Sequence, residues 1–276
     1  MLLAMPAPGQ LRTGEPTAAG MSPVRLRRVT GLIETEVRQH GLQAASILVA
    51  RRGTIVLHEG FGQCSQQVGS LPVKPETVYL VASLTKPVTA TALMILVERG
   101  MLSLSEPVLT YLPEFTGGER AKVRVLDLLT HTSGLPDMLP ENTELRRAHA
   151  PLSEFVKHTY TTPLLFSPGT AHRYQSMGIL LASEILERIA KMPLREFEHK
   201  EIFEPLGMQH SSLGLRSTAM GDMVQVQASG DPRELASWGP NSEYWRNLGN
   251  PWGGMHSTTM DLAILLQTFL NGGVYS

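Results

Sequence analysis

Two short β-rich runs, residues 45–50 and 54–57, are joined through Arg51-Arg52-Gly53 near the start of a chain that otherwise reads mostly as helix. This imbalance constrains the fold more than any other feature. A two-stranded hairpin is marginal by itself, so the pair needs further strands or a covering helix. One helix is at hand just upstream, where Leu26, Val29, Ile33 and Val37 recur at helical spacing and Gly41 supplies a stop. Downstream, apolar periodicity predicts helices at 84–99, 106–112, 124–130, 152–159, 177–191, 194–204 and 259–271. Gly100, Gly117-Gly118, Gly134 with Pro136, Pro168-Gly169 and Pro205 with Gly207 separate them. Residues 212–254 differ: they are rich in Gly, Ser, Asn and Pro, hold all three Trp residues, and offer only 223–227 as a strand. A stretch that long without elements of its own is usually functional or mobile.

Composition narrows the partners. With 42% hydrophobic and 18% charged residues the chain is ordinary for a soluble globular protein, and 276 residues suffice for one domain or two interlocked subdomains. The formal net charge of -1, with no block of five like charges, argues against nucleic acid or an anionic membrane as the main partner. A lone Cys64 excludes a disulfide framework and a cysteine-rich metal site, and the nine His show no metal-ligand spacing. No metal or cofactor is expected. Residues 1–23, rich in Pro, Gly and small residues, read as a disordered leader before a domain at 24–276, with Met21 an alternative start. The apolar 1–5 stretch lacks a basic flank and is cut by Pro6 and Pro8, so no export segment is read and a cytoplasmic location is favoured. The apolar run 88–97 is half a membrane span.

The chemistry concentrates at Ser83-Leu84-Thr85-Lys86, directly ahead of that apolar run. In a first helical turn, side chains three apart share a face. A serine hydroxyl becomes a competent nucleophile when a neighbour takes its proton. An amine can take it only when neutral, and burial near the positive end of a helix favours the neutral form of an amine. The same helix start aims backbone N–H groups at the serine, half of an oxyanion hole. The bland alternative is an N-cap serine with an exposed lysine. Pro87 is awkward under either reading, because it removes a donor early in the helix.

Six ordered motifs decide between them: Ser83-Leu84-Thr85-Lys86, Leu128-Leu129-Thr130-His131-Thr132-Ser133-Gly134-Leu135-Pro136, Ser167-Pro168-Gly169, Tyr174-Gln175-Ser176-Met177-Gly178, Phe203-Glu204-Pro205-Leu206-Gly207-Met208 and Gly253-Gly254-Met255-His256-Ser257-Thr258. Together they resemble the serine β-lactamase and penicillin-binding-protein superfamily, closest to its class C-like branch, which includes esterases and D-amino-acid peptidases. The resemblance implies an α/β fold of the α+β kind, β-lactamase/transpeptidase-like, with an antiparallel sheet flanked by helices and a mainly helical subdomain. It implies Ser83 as the acylated nucleophile, Lys86 as its base partner, and Tyr174, matching the tyrosine of the family's Tyr-x-Asn motif, as a proton mover.

Ser176 stands where β-lactam-recognising members carry Asn, and a hydroxyl cannot offer an amide's paired donor and acceptor. That departure leans toward an ester substrate, with a β-lactam or D-amino-acid peptide as the alternative. Tyr244, Trp245 and Trp252 are candidates to line an acyl or alcohol pocket, with ordinary packing an equal alternative. His131 with Asp137 tempts a Ser-His-Asp reading, but a loop histidine is more often structural, and no G-x-S-x-G elbow exists. The family's third motif, Lys-Thr-Gly or His-x-Gly on a core strand that also gives the second oxyanion N–H, is expected beyond Ser276, so the C-terminal strands read as missing. The competing class is a non-catalytic scaffold or binding protein with the same fold.

Overall fold

The computed structural model describes residues 10–216 and 220–274. Its helices are α1 (Pro23–Gln39), α2 (Thr85–Glu98), α3 (Val125–Leu129), α4 (Asn142–Arg147), α5 (Leu152–Thr161), α6 (Met177–Ala190), α7 (Leu194–Glu198), α8 (Glu204–Leu206), α9 (Pro232–Trp238), α10 (Glu243–Leu248) and α11 (Thr259–Leu270). The strands are β1 (Arg12–Thr13), β2 (Ala44–Arg51), β3 (Thr54–Gly62), β4 (Tyr79–Leu80), β5 (Ser212–Leu213) and β6 (Met255–Ser257). They form two three-stranded sheets, β1-β3-β2 and β4-β6-β5. No helix among the described residues is long and apolar enough to cross a membrane.

The expected hairpin is β2–β3. Arg51 pairs with Thr54, leaving Arg52 (φ 54°) and Gly53 (φ 73°) as a two-residue turn with both central residues left-handed, the type whose twist suits flanking strands. Ile55, Leu57 and Phe61 alternate into the buried face of β3, while His58 on the opposite face meets Thr259 at the start of α11 with Nε2 and Oγ1 3.0 Å apart. The segment expected to be a structureless leader behaves differently from Gln10 onward. Arg12 and Thr13 pair in parallel with Thr54 and Ile55, and Ala19 is buried. Its Pro and Gly content hid a strand too short for periodicity to reveal; residues 1–9 lie outside the described residues. The hairpin's need for neighbours is thus met on the β3 side. On the β2 side the described residues supply no strand. There Leu262, Leu266 and Leu270 of α11, the last two 62% and 81% exposed, line an open groove of about 530 Å³ with Ile47 and Val49.

The main core is helical. Val88, Ala92, Leu93 and Leu96 on α2 pack against Ile179, Leu180 and Leu181 on α6, with Leu128, Phe155 and Phe203 closing the cluster. A helix apolar on so many sides is a central one. Pro87 is accommodated because it is the third residue of α2, among the first N–H positions that have no partner within the helix. The expected helix at 106–112 shrinks to one 3₁₀ turn, Val108–Thr110, between Pro107 and Pro113. The expected helix at 194–204 is interrupted by a π-turn, His199–Phe203. Within 212–254, Met223 makes only an isolated bridge to Val78 rather than a strand, and α9 and α10 replace the expected irregular chain.

Candidate active site

Ser83 sits in a 3₁₀ turn, Ala82–Leu84, that leads into α2. The turn is entered through Ala82 at φ 47°, a left-handed backbone that costs a non-glycine residue about 1–2 kcal/mol. Three hydrogen bonds hold it there. Val81 N donates to Met255 O (2.9 Å), and Thr85 Oγ1 donates to Ala82 O (2.7 Å) while accepting from Met255 N (3.0 Å). The first turn of α2 is thereby fastened to β6, and the serine is presented at a helix start.

Lys86 is 6% exposed. Its Nζ lies 3.1 Å from Ser83 Oγ and donates to Trp252 O at 2.9 Å. No carboxylate stands within ion-pair distance of it among the described residues. Lys86 is thus a buried amine whose neighbours are a serine oxygen and a carbonyl rather than a counter-charge. One turn further, Thr89 Oγ1 lies 2.9 Å from Pro251 O and 3.2 Å from Glu198 Oε1. A hydroxyl has one hydrogen, so it cannot serve a carbonyl and an ionised carboxylate together. Burial pushes the Glu198 carboxyl up to about 8, against the bond to Thr89.

Tyr174 presents its ring face to Lys86, with Nζ 4.7 Å from the centroid, and is 44% exposed. Three of the expected site residues, Ser83, Lys86 and Tyr174, therefore come together, the tyrosine meeting the amine through its π-face. The loop beneath Tyr174 is heavily tied. Ser133 Oγ donates to Gln175 Oε1 (2.7 Å), Gln175 Nε2 donates to Asp127 O (3.2 Å), and Leu165 N donates to Gly134 O (2.7 Å). Burial raises the Asp127 carboxyl, but hydrogen bonds from Arg124 and Thr132 outweigh it and hold the group below its ordinary value. Gly134 is required at φ 85°, since a Cβ there would stand 2.3 Å from Phe166 O. Gly134→Ala is expected to lower stability by about 2–4 kcal/mol, read as a shifted urea midpoint.

The other candidates are placed differently. Ser176 is buried and donates from Oγ to Asp137 Oδ1 (2.6 Å), so its hydroxyl proton is committed to Asp137. Tyr244 donates to Ala150 O (2.9 Å) and stacks on His149 with centroids 4.7 Å apart. Trp245 covers the Arg146 guanidinium at 3.9 Å. Both are thus engaged in binding α10 to the 146–150 segment. The Trp252 side chain is buried against Phe155, and it is the residue's carbonyl that reaches Lys86. Sequence reasoning missed that carbonyl, which no side-chain pattern could signal. It also set His131 aside, yet this ring lies 4.8 Å from the Tyr174 ring.

Several known proteins are similar to this chain in sequence or fold. A Salmonella agona protein provisionally named a D-alanyl-D-alanine carboxypeptidase is 27% identical, the match covering 96% of this chain and 68% of that protein. D-amino acid amidase from Ochrobactrum anthropi SV3 superposes with a TM-score of 0.75 at 23% identity, covering 91% of this chain and 73% of the amidase. A penicillin-binding protein homologue from Caulobacter crescentus gives a TM-score of 0.75 at 23% identity, covering 92% and 71%. These likenesses establish a shared α/β fold of the β-lactamase/transpeptidase type. The model of one family of hydrolases, described as Beta-lactamase, matches residues 29–275, and the chain belongs to that family.

Proposed function

We propose that residues 24–276, with β1 in support, act as a serine hydrolase through a covalent acyl-enzyme on Ser83. The observation that carries this reading is the buried Lys86 amine 3.1 Å from Ser83 Oγ, without a carboxylate partner among the described residues. In the neutral form the amine accepts the Ser83 proton as Oγ attacks the acyl carbon, and the ammonium then returns a proton to the departing alcohol or amine. Water repeats the sequence on the acyl-enzyme, releasing the acid. The Ser83 backbone N–H, at the start of the helix, is placed to stabilise the oxyanion. Tyr174, over the amine, is the group to assist proton movement between Lys86 and the leaving group.

A carboxylic ester is the substrate class favoured here. Ser176 supplies no amide donor, and its one hydroxyl proton is held by Asp137, so little is left to orient a substrate amide. The names of the carboxypeptidase and amidase relatives support a second reading, hydrolysis of a D-amino-acid amide or peptide. The test is intact-mass detection of one adduct after treatment with a fluorophosphonate, followed by peptide mapping. The adduct is expected on Ser83 and absent from Ser83→Ala. An adduct on Ser133 or Ser176, or undiminished labelling of the variant, would sink the assignment; a folded protein that takes no adduct would favour a non-catalytic scaffold. Comparing a p-nitrophenyl ester with a D-amino-acid anilide then separates the two substrate classes.

A further inference from the structure

His131 is bound to the Tyr174 segment at three points. Its carbonyl accepts from Arg173 N (3.0 Å), its ring Nδ1 accepts from Gln175 N (3.4 Å), and its ring packs on the Tyr174 ring at 4.8 Å. The two bonds bracket Tyr174 along the chain, one residue before and one after. Within this bracket His131 itself sits at φ 60°, a left-handed backbone that few non-glycine residues adopt and that clusters at functional sites. We propose that neutral His131 is a positioning residue that holds Tyr174 over Lys86, and that the hold opens when the imidazole takes a proton.

The reason lies in Nδ1. A ring nitrogen accepts a hydrogen bond only through its lone pair, and in the imidazolium both nitrogens are donors. Protonation therefore sets an N–H against the Gln175 N–H and breaks the bond on the C-terminal side of Tyr174. The surroundings keep the ring neutral at ordinary pH. Burial lowers its proton affinity first, then the neighbouring His172 and Lys86, with the Gln175 backbone and Asp137 opposing and outweighed. His172 stands edge-on at 5.8 Å. The neutral state is lost only as the medium becomes more acidic than an ordinary histidine would require.

The inference rests on the proposed role of Ser83 and Lys86, and two measurements keep the two ideas separate. In the first, kcat and KM for an activated ester are followed against pH in the native chain, His131→Ala and His131→Asn. Asparagine tolerates the left-handed backbone and its Oδ1 can accept from Gln175, but it does not titrate. His131→Ala is expected to lower kcat by about 10- to 100-fold with KM little changed, as misplacement of a catalytic group does. His131→Asn should recover most of that loss, and its acid limb should fall with a limiting slope of about one proton, against about two in the native chain. In the second, 3-fluorotyrosine is incorporated, and the Tyr174 ¹⁹F resonance, identified by Tyr174→Phe, is titrated without substrate. It should shift with a midpoint below the usual histidine value, and this step should vanish in His131→Asn. An unchanged kcat in His131→Ala, equal acid limbs, or a titration step persisting in His131→Asn would overturn the proposal. Failure of Ser83 to label, with the ¹⁹F step intact, would instead overturn the catalytic reading alone.

Discussion

Replacing Lys86 with methionine is expected to abolish ester turnover while leaving the protein as stable as before or more so. Removing a general base costs about 10²- to 10⁴-fold, and here the same group also returns the proton, so a loss of about 10³-fold or more, ~4 kcal/mol, is anticipated. Stability should move the other way because burying an amine without a counter-ion is unfavourable and a thioether of similar length fills the space. The losses are the hydrogen bonds to Trp252 O and Ser83 Oγ, about 1 kcal/mol each, and the contact with the Tyr174 ring, which the relief of burying the amine is expected to offset. Paired ester kinetics and urea unfolding check both halves. A variant that keeps near-native turnover would end the lysine-base mechanism, and one that unfolds would show that Lys86 is structural.

Glu198 gives the second large effect, on stability. The group is fully buried, its Oε2 has no hydrogen-bond partner among the described residues, and burial pushes it up to about 8. An unfolded glutamate titrates near 4.3, so between that value and about 8 the native state holds one proton more than the unfolded chain. Stability from this group is therefore complete below the unfolded value and lost as pH rises through the folded one. The loss from pH 5 to pH 9 is on the order of 4 kcal/mol for this group alone. Glu198→Gln removes the titration while keeping a polar side chain beside Thr89. The stability of the variant relative to the native chain should rise steadily from pH 5 to pH 9 in urea unfolding. A difference that stays flat across that range would show that Glu198 is ionised throughout.

The sequence announced the long elements because each is carried by a repeated physical signal. The apolar faces of α2, α6 and α11 persist over three turns or more, and Arg52-Gly53 marks its own hairpin. Short elements carry no such repetition: β4, β5 and β6 have two or three residues each and exist because they pair with one another. α9 and α10 were legible by another route. Asp231 accepts from Arg233 N and Glu234 N, Ser242 accepts from Trp245 N, and Pro232 follows the first cap, so capping residues were present where periodicity was not. At the site, the Ser83/Lys86 spacing sufficed to bring those two together, because three residues of helix fix it locally. Tyr174 needed the wider motif pattern, being 88 positions away by number (174 − 86). Tyr244 and Trp245 show the limit of reading aromatics as pocket linings, since His149, Ala150 and Arg146 claim them for packing.

Lys86 is steadied by Ser83 and by the carbonyl of Trp252, and the second anchor belongs to the main chain. Every residue type carries that oxygen, so no point substitution at 252 can delete it. Its location is governed instead by the backbone around it, where Pro251 O meets Thr89 and Gly253 N and Gly254 N both donate to Asn250 O. The genetic footprint of this anchor is accordingly displaced. The identity of the indole at 252 can drift as far as packing against Phe155 permits, whereas Thr89 and Gly254, whose added Cβ would stand 2.5 Å from Asn250 N, bear the constraint. Mutational scans of this chain should find the amine's support encoded at positions that never touch it.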